Sequence, residues 1–295
     1  MNRVARRAVE WLVALALVAT ARTAHADEPW LLDVNGSVPK LSSGDGSFQQ
    51  SLMGDLLTGY QTGAWGVLGR GSFSTYNQLA DGVLTKNFHT DGAVEAWRLV
   101  VDSQTLRVDV RTSFEGAQYK ADTIPQGQVL EDKSLMYRGA ALAGLRYTPD
   151  ERTALGVWGG GGFQWEVFDD LYSAPGLPVR TEKTTAPSYH FELRARAAYA
   201  VVPAYLTVRL RVDASAFGIS RNHVSVDVGG NVVVTSQSSR ASQIEAHARL
   251  FFDLDALSFA GFVPAVHGGL DVISLSGAST TTVPSVGAGV RRDVF

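Results

Sequence analysis

One stretch, residues 135–167, constrains the fold of this chain more than any other. It contains two runs that are apolar at every second position, joined at residues 148–152 by Thr, Pro, Asp, Glu and Arg. Proline and aspartate favour β-turns, so the two runs are predicted to be the arms of a β-hairpin. Side chains alternate between the two faces of a strand, so one face of this hairpin is apolar. The other face carries Arg138, Arg146, Gln164 and Glu166.

The apolar face of this hairpin has the features of a membrane-spanning surface. In the first arm it lies between two tyrosines, Tyr137 and Tyr147. A β-strand that crosses a bilayer needs about 9–11 residues, and aromatic side chains mark the two interfaces. A soluble sandwich also has an apolar face, but it rarely brackets that face with tyrosines. The hairpin is therefore predicted to cross a membrane, with its charged face directed away from lipid.

Residues 1–26 have the features of a secretory signal peptide. Three arginines precede an apolar run that starts at Trp11, and the stretch ends in the small-x-small pattern Ala24-His25-Ala26. The run is too short for a transmembrane helix, and no later stretch approaches the roughly 18 consecutive apolar residues that such a helix needs. The chain has no cysteine, which excludes a disulfide framework. We therefore predict that residues 1–26 are removed and that residues 27–295 form one exported domain.

The exported part of the chain is predicted to contain twelve strands joined by connections of alternating length. Turn-like residues predict short connections near 61, 103, 150, 203 and 255. Polar stretches predict long connections near 43, 84, 125, 178, 229 and 277. Among them, residues 168–188 have no strand pattern, and residues 218–240 are long enough for a small protruding hairpin. This pattern predicts a single all-β domain, a transmembrane antiparallel up-and-down β-barrel of twelve strands, with ten or fourteen as alternatives.

In two features the chain resembles bacterial outer-membrane β-barrels of the porin-like kind. Its connections alternate between short and long, and its last residue is a phenylalanine. Such barrels have short periplasmic turns, long outer loops and both termini in the periplasm. The chain stops at Phe295 on the last predicted strand, and a terminal phenylalanine is similar to the assembly signal of this class. That signal usually has apolar residues at alternate positions, where this chain has Arg291 and Asp293. The resemblance implies an outer-membrane location, contact with outer-membrane lipid, and recognition of the last strand by the barrel-assembly machinery.

Charged side chains on the inward faces of the predicted strands are the main candidates for function. A lumen charge cluster is predicted from Glu192, Arg194, Arg196, Arg209, Arg211, Asp213, Glu245 and Arg249. Further lumen positions are predicted for Arg98, Arg107, Asp109, Arg111, Arg138, Arg146 and Glu166. Two interpretations of the array are open. It is either a mesh of arginines and carboxylates that stiffens or closes the lumen, or the lining of a path for solutes.

Register arithmetic places several of these charges opposite one another. A two-residue turn at residues 203–204 puts Arg196 opposite Arg211, which is unfavourable unless another group compensates the like charges. The candidates for compensation are Glu166, Glu245, Asp253 or a bound anion. Similar arithmetic for the hairpin of residues 92–116 places Asp109 opposite Arg98.

Catalysis and metal binding have no recognised signature in this chain. Ser188 and His190 are two residues apart, as a nucleophile and its base could be, but no motif surrounds them. His190 and His247 are predicted to face the lumen from strands that are not neighbours, without an evident third metal ligand. Gly159–Gly162 lies inside a strand and lacks the Lys-Ser/Thr of a phosphate loop, so a close approach of backbones is the better interpretation. The sequence predicts no enzyme, no metal and no cofactor.

The strand number bounds the function. Eight strands enclose a lumen that side chains fill, and sixteen leave a wide channel, so twelve predict a narrow pore. We therefore expect a porin-like narrow channel for small hydrophilic solutes, with a bias towards anions. The alternatives are a non-conducting structural or surface-adhesion barrel, whose active part would be residues 168–188 and 218–240, and an outer-membrane hydrolase. Nucleic acid is not an expected partner.

Overall fold

The computed structural model describes residues 30–39, 48–80, 83–124, 129–173, 180–224, 236–275 and 280–292. Nearly all of these residues belong to β-strands. The strands are β1 (Trp30–Pro39), β2 (Phe48–Gln61), β3 (Trp65–Ala80), β4 (Val83–Asp102), β5 (Leu106–Ile124), β6 (Val129–Asp150), β7 (Thr153–Ser173), β8 (Arg180–Val202), β9 (Leu206–Val224), β10 (Ser236–Asp253), β11 (Val263–Leu275) and β12 (Thr281–Arg292). The described residues contain no helix long and apolar enough to cross a membrane.

The strands form one closed antiparallel barrel. Each strand pairs with the next in the chain, and β1 pairs with β12, for example Val34 opposite Val290. Closure matters because an open sheet edge inside a bilayer would leave backbone N–H and C=O groups without partners. The predicted all-β, twelve-stranded up-and-down barrel is therefore confirmed.

The two ends of the barrel differ in their connections. At the turn end, the described chain begins at Trp30 and ends at Arg292, and the connections are residues 62–64, 103–105, 151–152, 203–205 and 254–262. At the loop end, the connections are residues 40–47, 81–82, 125–128, 174–179, 225–235 and 276–280. Local hydrogen bonds fix the turns: Oδ1 of Asp150 accepts the backbone N–H of Arg152 at 2.8 Å and that of Thr153 at 2.7 Å.

The strands extend further towards the loop end than the sequence pattern predicts. β7 continues to Ser173 and β8 begins at Arg180, so the prediction of a loop at residues 168–188 is wrong for most of that stretch. The connection predicted to be long near residue 84 consists only of residues 81–82. A strand that continues beyond the bilayer has no lipid-facing side and needs no apolar alternation. Alternation therefore marks the membrane-crossing part of each strand and misses the rest.

Side chains alternate between the outer wall and the lumen as predicted. In β6, Leu135, Tyr137, Leu145 and Tyr147 are exposed on the wall, whereas Leu142 is buried in the lumen. The wall carries two bands of aromatic side chains. The band nearer the loop end contains Phe114, Tyr137, Phe163, Trp165, Tyr189 and Phe191, and the band nearer the turn end contains Trp30, Tyr60, Trp65, Tyr147 and Tyr199. This is the outer surface of a barrel that lies in lipid.

The interior is polar. The largest fully buried side chains are Phe251, His190, Gln164 and Asp253, and three of these four are polar. Polar groups are tolerated in such a place only when hydrogen bonds and ion pairs satisfy them. The lumen is therefore held together by charge pairing and not by an apolar core.

The four consecutive glycines have the structural role predicted for them. A Cβ atom at Gly160 would collide with the backbone carbonyl of Ala141, and one at Gly162 with that of Gly139. The backbones of β6 and β7 approach too closely there for any side chain. This confirms the close approach of backbones.

Several predictions concern residues that lie outside the described ranges. They are the signal peptide at residues 1–26, the tip of the hairpin predicted within residues 218–240, and Phe295 with its role as assembly signal. Of the predicted hairpin, the structure describes its base, where Val224 of β9 is opposite Ser236 of β10.

Candidate functional site: the lumen

A salt-bridged strut crosses the lumen from β4 to β8. The Glu95 carboxylate on β4 forms an ion pair with the Arg194 guanidinium on β8. Oε1 of Glu95 also accepts a hydrogen bond from Nη1 of Arg111 at 2.8 Å. Because β4 and β8 are four strands apart, Arg194 reaches Glu95 through the lumen and not along the wall. Nη2 of Arg194 is also held by Oε2 of Glu192 at 2.8 Å. The strut therefore divides the lumen into two parts.

Trp158 of β7 fills the part between the strut and the wall of β5 to β7. Its Nε1 donates to Oδ1 of Asp109 at 2.9 Å, and the Arg111 guanidinium lies 4.2 Å above its ring. Nε of Arg111 donates to the same aspartate oxygen at 2.6 Å. Gly144, opposite Trp158 on β6, leaves space for the indole, since a Cβ there would collide with it. Together Glu95, Asp109, Arg111, Trp158 and Arg194 form the strut cluster.

Two arginines on the other side of the strut share one carboxylate. Arg196 is opposite Arg211, as predicted, and Arg194 is opposite Asp213. Nη2 of Arg196 lies 2.6 Å from Oδ1 of Asp213, and Nε of Arg211 lies 2.8 Å from its Oδ2. The compensating group is thus Asp213, on the same strand as Arg211. The prediction of Glu166, Glu245 or Asp253 in this role was wrong, because an aspartate two residues along one strand can bridge both guanidinium groups directly.

Side chains from opposite walls also interact in this part of the lumen. Arg211 of β9 interacts electrostatically with Asp55 of β2, and Glu192 of β8 with Arg70 of β3. Four side chains on this side of the strut are about one-fifth or more exposed and are called the passage residues: Arg196, Arg211, Asp213 and His247.

A second packed group, the seam cluster, lies at the turn end where β1 meets β12. It consists of Asp33, Arg209, Asp253 and Arg291, with Phe251 beneath Arg209. The fully buried Asp253 carboxylate accepts from Nε of Arg209 at 2.6 Å and from Nε of Arg291 at 2.7 Å. Nη1 of Arg209 lies 3.7 Å from Oδ2 of Asp33, and its guanidinium lies 4.6 Å above the Phe251 ring. These ion pairs link β1 and β12, the two strands that close the barrel, to β9 and β10.

The remaining predicted lumen residues face inward, with one exception described below. Arg138 donates to Gln164 at 2.7 Å, Arg249 donates to Asp271 at 3.0 Å, and Glu245 accepts from Gln243. Arg107 is opposite Arg146, and both border a cavity of about 360 Å³ at the turn-end mouth. Glu166 shares the inward face of β7 with Gln164 and Trp158. Nε of Arg107 donates to Oδ1 of Asp102 at 2.9 Å, and Asp109 also lines this cavity.

Arg98 is the exception, and its predicted lumen position was wrong. An irregularity in the β4–β5 register between Leu99 and Val101 places Asp109 opposite Leu99. Arg98 is consequently opposite Val110 on the outer wall, where it is exposed at the turn end. A bulge of one residue exchanges the inward-facing and outward-facing positions on the two sides of it, and the alternation pattern does not predict where a bulge occurs.

The residues considered for catalysis or metal binding make separate contacts on β8 and on β10. Nε2 of His190 lies 3.0 Å from Oε1 of Glu192, but Nδ1 of His190 and Oγ of Ser188 have no hydrogen-bond partner among the described residues. His247 is held 2.9 Å from Asp271, on another part of the wall. Across the described ranges, no three histidine, aspartate or glutamate side chains group as metal ligands would.

Sequence reasoning missed two central residues, Glu95 and Trp158. Trp158 has the inward parity of Gln164 and Glu166, so the pattern was sufficient to place it in the lumen. Its partners could not be predicted, because register identifies neighbours on the wall but not side chains that meet across the lumen. For the same reason the ion pair between Glu95 and Arg194 could not be predicted.

Comparison with known proteins bears on the fold. No family model matches the sequence, and no curated protein matches it either. Among solved structures, the translocator domain of the autotransporter NalP from Neisseria meningitidis matches 98% of this chain and 97% of its own, with a TM-score of 0.54 and 10% identity. The outer-membrane protease OmpT from Escherichia coli matches 89% of this chain and 93% of its own, with a TM-score of 0.49 and 8% identity. The likeness to the NalP domain shows that this chain has the fold of outer-membrane β-barrels.

Proposed function

We propose that this protein is a narrow channel of the bacterial outer membrane for small hydrophilic solutes, with its turn end and both termini in the periplasm. The observation that carries the proposal is a difference in exposure across the strut. In the strut cluster, the side chains of Glu95, Arg111 and Arg194 are only 9%, 10% and 10% exposed. Among the passage residues, Arg211 is 23% and His247 is 42% exposed. The passage residues are therefore more accessible to water than the strut cluster is.

The shape of this path limits what can use it. The strut cluster occupies one side and the seam cluster blocks the turn end beside β1 and β12, so the passage residues border what remains. Their side chains are polar or charged and are held by carboxylates, or bridge two arginines in the case of Asp213, which favours ions and small polar solutes over apolar ones. This supports a channel narrower than the twelve strands alone would allow.

A modest preference for anions is part of the proposal. Arg196 and Arg211 share a single carboxylate, Asp213, which leaves one positive charge in excess at that point. Asp55 of β2 interacts electrostatically with Arg211 and reduces this excess, while Arg196 and Arg211 stay about one-fifth exposed. An uncompensated charge in a narrow lumen raises the local concentration of its counter-ion.

The test is single-channel recording with the purified barrel in a planar lipid bilayer. We expect small, discrete conductance steps and a reversal potential on the anion side in a salt gradient. Arg196→Gln removes the excess charge but keeps the Arg211–Asp213 pair, so the anion preference should fall to near zero, most clearly at low salt. Arg107→Gln, at the exposed mouth, is the control and should change it less. A folded barrel without conductance would refute the channel, and unchanged selectivity in Arg196→Gln would refute the anion preference.

A further inference from the structure

His247 of β10 is the passage residue most accessible to water. Its side chain is 42% exposed, whereas those of Arg196, Arg211 and Asp213 are between 20% and 23% exposed. Histidine ordinarily changes its charge between about pH 5 and pH 8, whereas arginine and aspartate keep theirs in that range. His247 is therefore the passage residue whose charge can respond to the surrounding water.

The hydrogen bond of this histidine determines where its ring can gain a proton. Nδ1 of His247 lies 2.9 Å from Oδ1 of Asp271. An ionised carboxylate only accepts hydrogen bonds, so Nδ1 carries the proton of the neutral ring and Nε2 is left as the acceptor nitrogen. Nε2 has no hydrogen-bond partner among the residues that the structure describes. A second proton can therefore bind at Nε2 while the hydrogen bond to Asp271 is kept.

Charged side chains of both signs face the ring. Asp213 lies directly opposite it on β9, and Asp271 lies directly opposite it on β11. Glu245 and Arg249 are the neighbouring inward residues of β10, and Arg211 of β9 is opposite Arg249. The carboxylates stabilise a protonated ring, and the guanidinium groups oppose it. Because neither kind of group ordinarily titrates between about pH 5 and pH 8, the ring is the variable charge of this set.

Most of the facing carboxylates are already engaged by arginines. Asp213 bridges two guanidinium groups, and Asp271 lies 3.0 Å from Nη1 of Arg249. Glu245 accepts from Gln243 and forms no ion pair with an arginine of the described ranges, so its charge offsets part of any charge that the ring gains. Protonation of the ring therefore makes this part of the lumen more positive.

We propose that His247 is a specificity-determining residue of the passage, and that its protonation in acidic medium shifts the ion preference of the channel towards anions. By Coulomb's law, one elementary charge at about 4–8 Å in water changes the local concentration of a monovalent ion about two- to sixfold. The effect has opposite signs for anions and cations, so it acts twice on their permeability ratio. This role rests on the proposed channel function and adds to it a dependence of solute charge on pH.

Reversal potentials in a gradient of potassium chloride test the role in the wild-type barrel. Recordings are made at low salt, where screening is weak, in buffers of about pH 8 and about pH 5.5, and carboxylates ordinarily stay ionised in both. The permeability ratio of chloride to potassium should be at least about twofold higher in the acidic buffer. A conducting barrel with the same ratio in both buffers would overturn this role and leave the channel standing. Absence of conductance in both buffers would overturn the channel and this role together.

Variants at His247 show whether this residue causes the shift. His247→Gln stays neutral and can still donate to Asp271, so its permeability ratio should not change between the two buffers. His247→Lys stays charged, so in the alkaline buffer it should already have a ratio close to that of the acidic wild type. His89→Gln is the control, because His89 of β4 is opposite Ser74 and Tyr119, away from β9–β11, and it should keep the wild-type shift. A shift that persists in His247→Gln, or that is lost in His89→Gln alone, would overturn the assignment to His247.

Discussion

An arginine at Ala143 should reveal whether the assigned outer wall faces hydrocarbon. Ala143 lies on the wall side of β6, between Tyr137 and Tyr147 of the two aromatic bands. The ten residue-to-residue steps from Tyr137 to Tyr147 span about 26 Å along the membrane normal at about 3.4 Å per residue and a tilt of about 40°, the height of a typical apolar band. By the same arithmetic Ala143 lies within about 3 Å of the midplane. Ala143→Arg should therefore lower the free energy of unfolding by about 2–4 kcal/mol.

The measurement is urea unfolding of the barrel in lipid vesicles, followed by tryptophan fluorescence. The matched control is at Tyr147, at the turn-end band of the same face. There the difference between Tyr147→Arg and Tyr147→Ala isolates the charge from the loss of the ring, and it should be only about 0–1 kcal/mol. Equal costs at the two positions, or no cost at Ala143, would refute the assignment of the wall to lipid.

Three further predictions concern the lumen and the topology. Asp213→Asn leaves the guanidinium groups of Arg196 and Arg211 without their shared carboxylate. In the same urea assay the free energy of unfolding should fall by about 2–4 kcal/mol, a range already reduced because the site is partly hydrated. Any channel that still folds should be more anion-selective. Trp158→Phe removes the hydrogen bond to Asp109 and should cost about 1–3 kcal/mol, with little change in conductance because this side of the strut is filled. Epitopes inserted within residues 174–179 should be reached by antibody on intact cells, whereas an insertion at Ala204 should not; reversed accessibility would contradict the proposed orientation.

Much of the architecture is encoded locally and could be predicted. The alternation from Tyr137 to Tyr147 identifies both the strand and its two faces, because a lipid-facing side must be apolar along its whole length. The pairing of Arg196 with Arg211 was predicted correctly, but the two-residue turn behind that prediction was wrong: the connection is residues 203–205. A register shift between Ala200 and Val202 offsets the extra residue, so the predicted pairing is restored beyond it.

The failures have physical causes that a local pattern does not record. One is the bulge beside Leu99, which moved Arg98 to the outer wall. Another is the extension of β7 and β8 beyond the bilayer, where alternation is no longer required. The third is contact across the lumen, as between Glu95 and Arg194, which depends on barrel curvature and side-chain length. Gly144 is an example of such a contact. Its lumen-facing position suggests that substitutions there are tolerated, yet the Trp158 ring occupies the space that any side chain at residue 144 would need.

The most direct test of the channel uses the absence of cysteine from the chain. Single cysteines at His247, among the passage residues, and at Leu142, buried beside the strut cluster, give two lumen positions with opposite expected access. A charged methanethiosulfonate reagent is added during single-channel recording. The current of His247→Cys should fall on modification while that of Leu142→Cys stays unchanged. Block at Leu142 without block at His247 would contradict a path on the passage side of the strut.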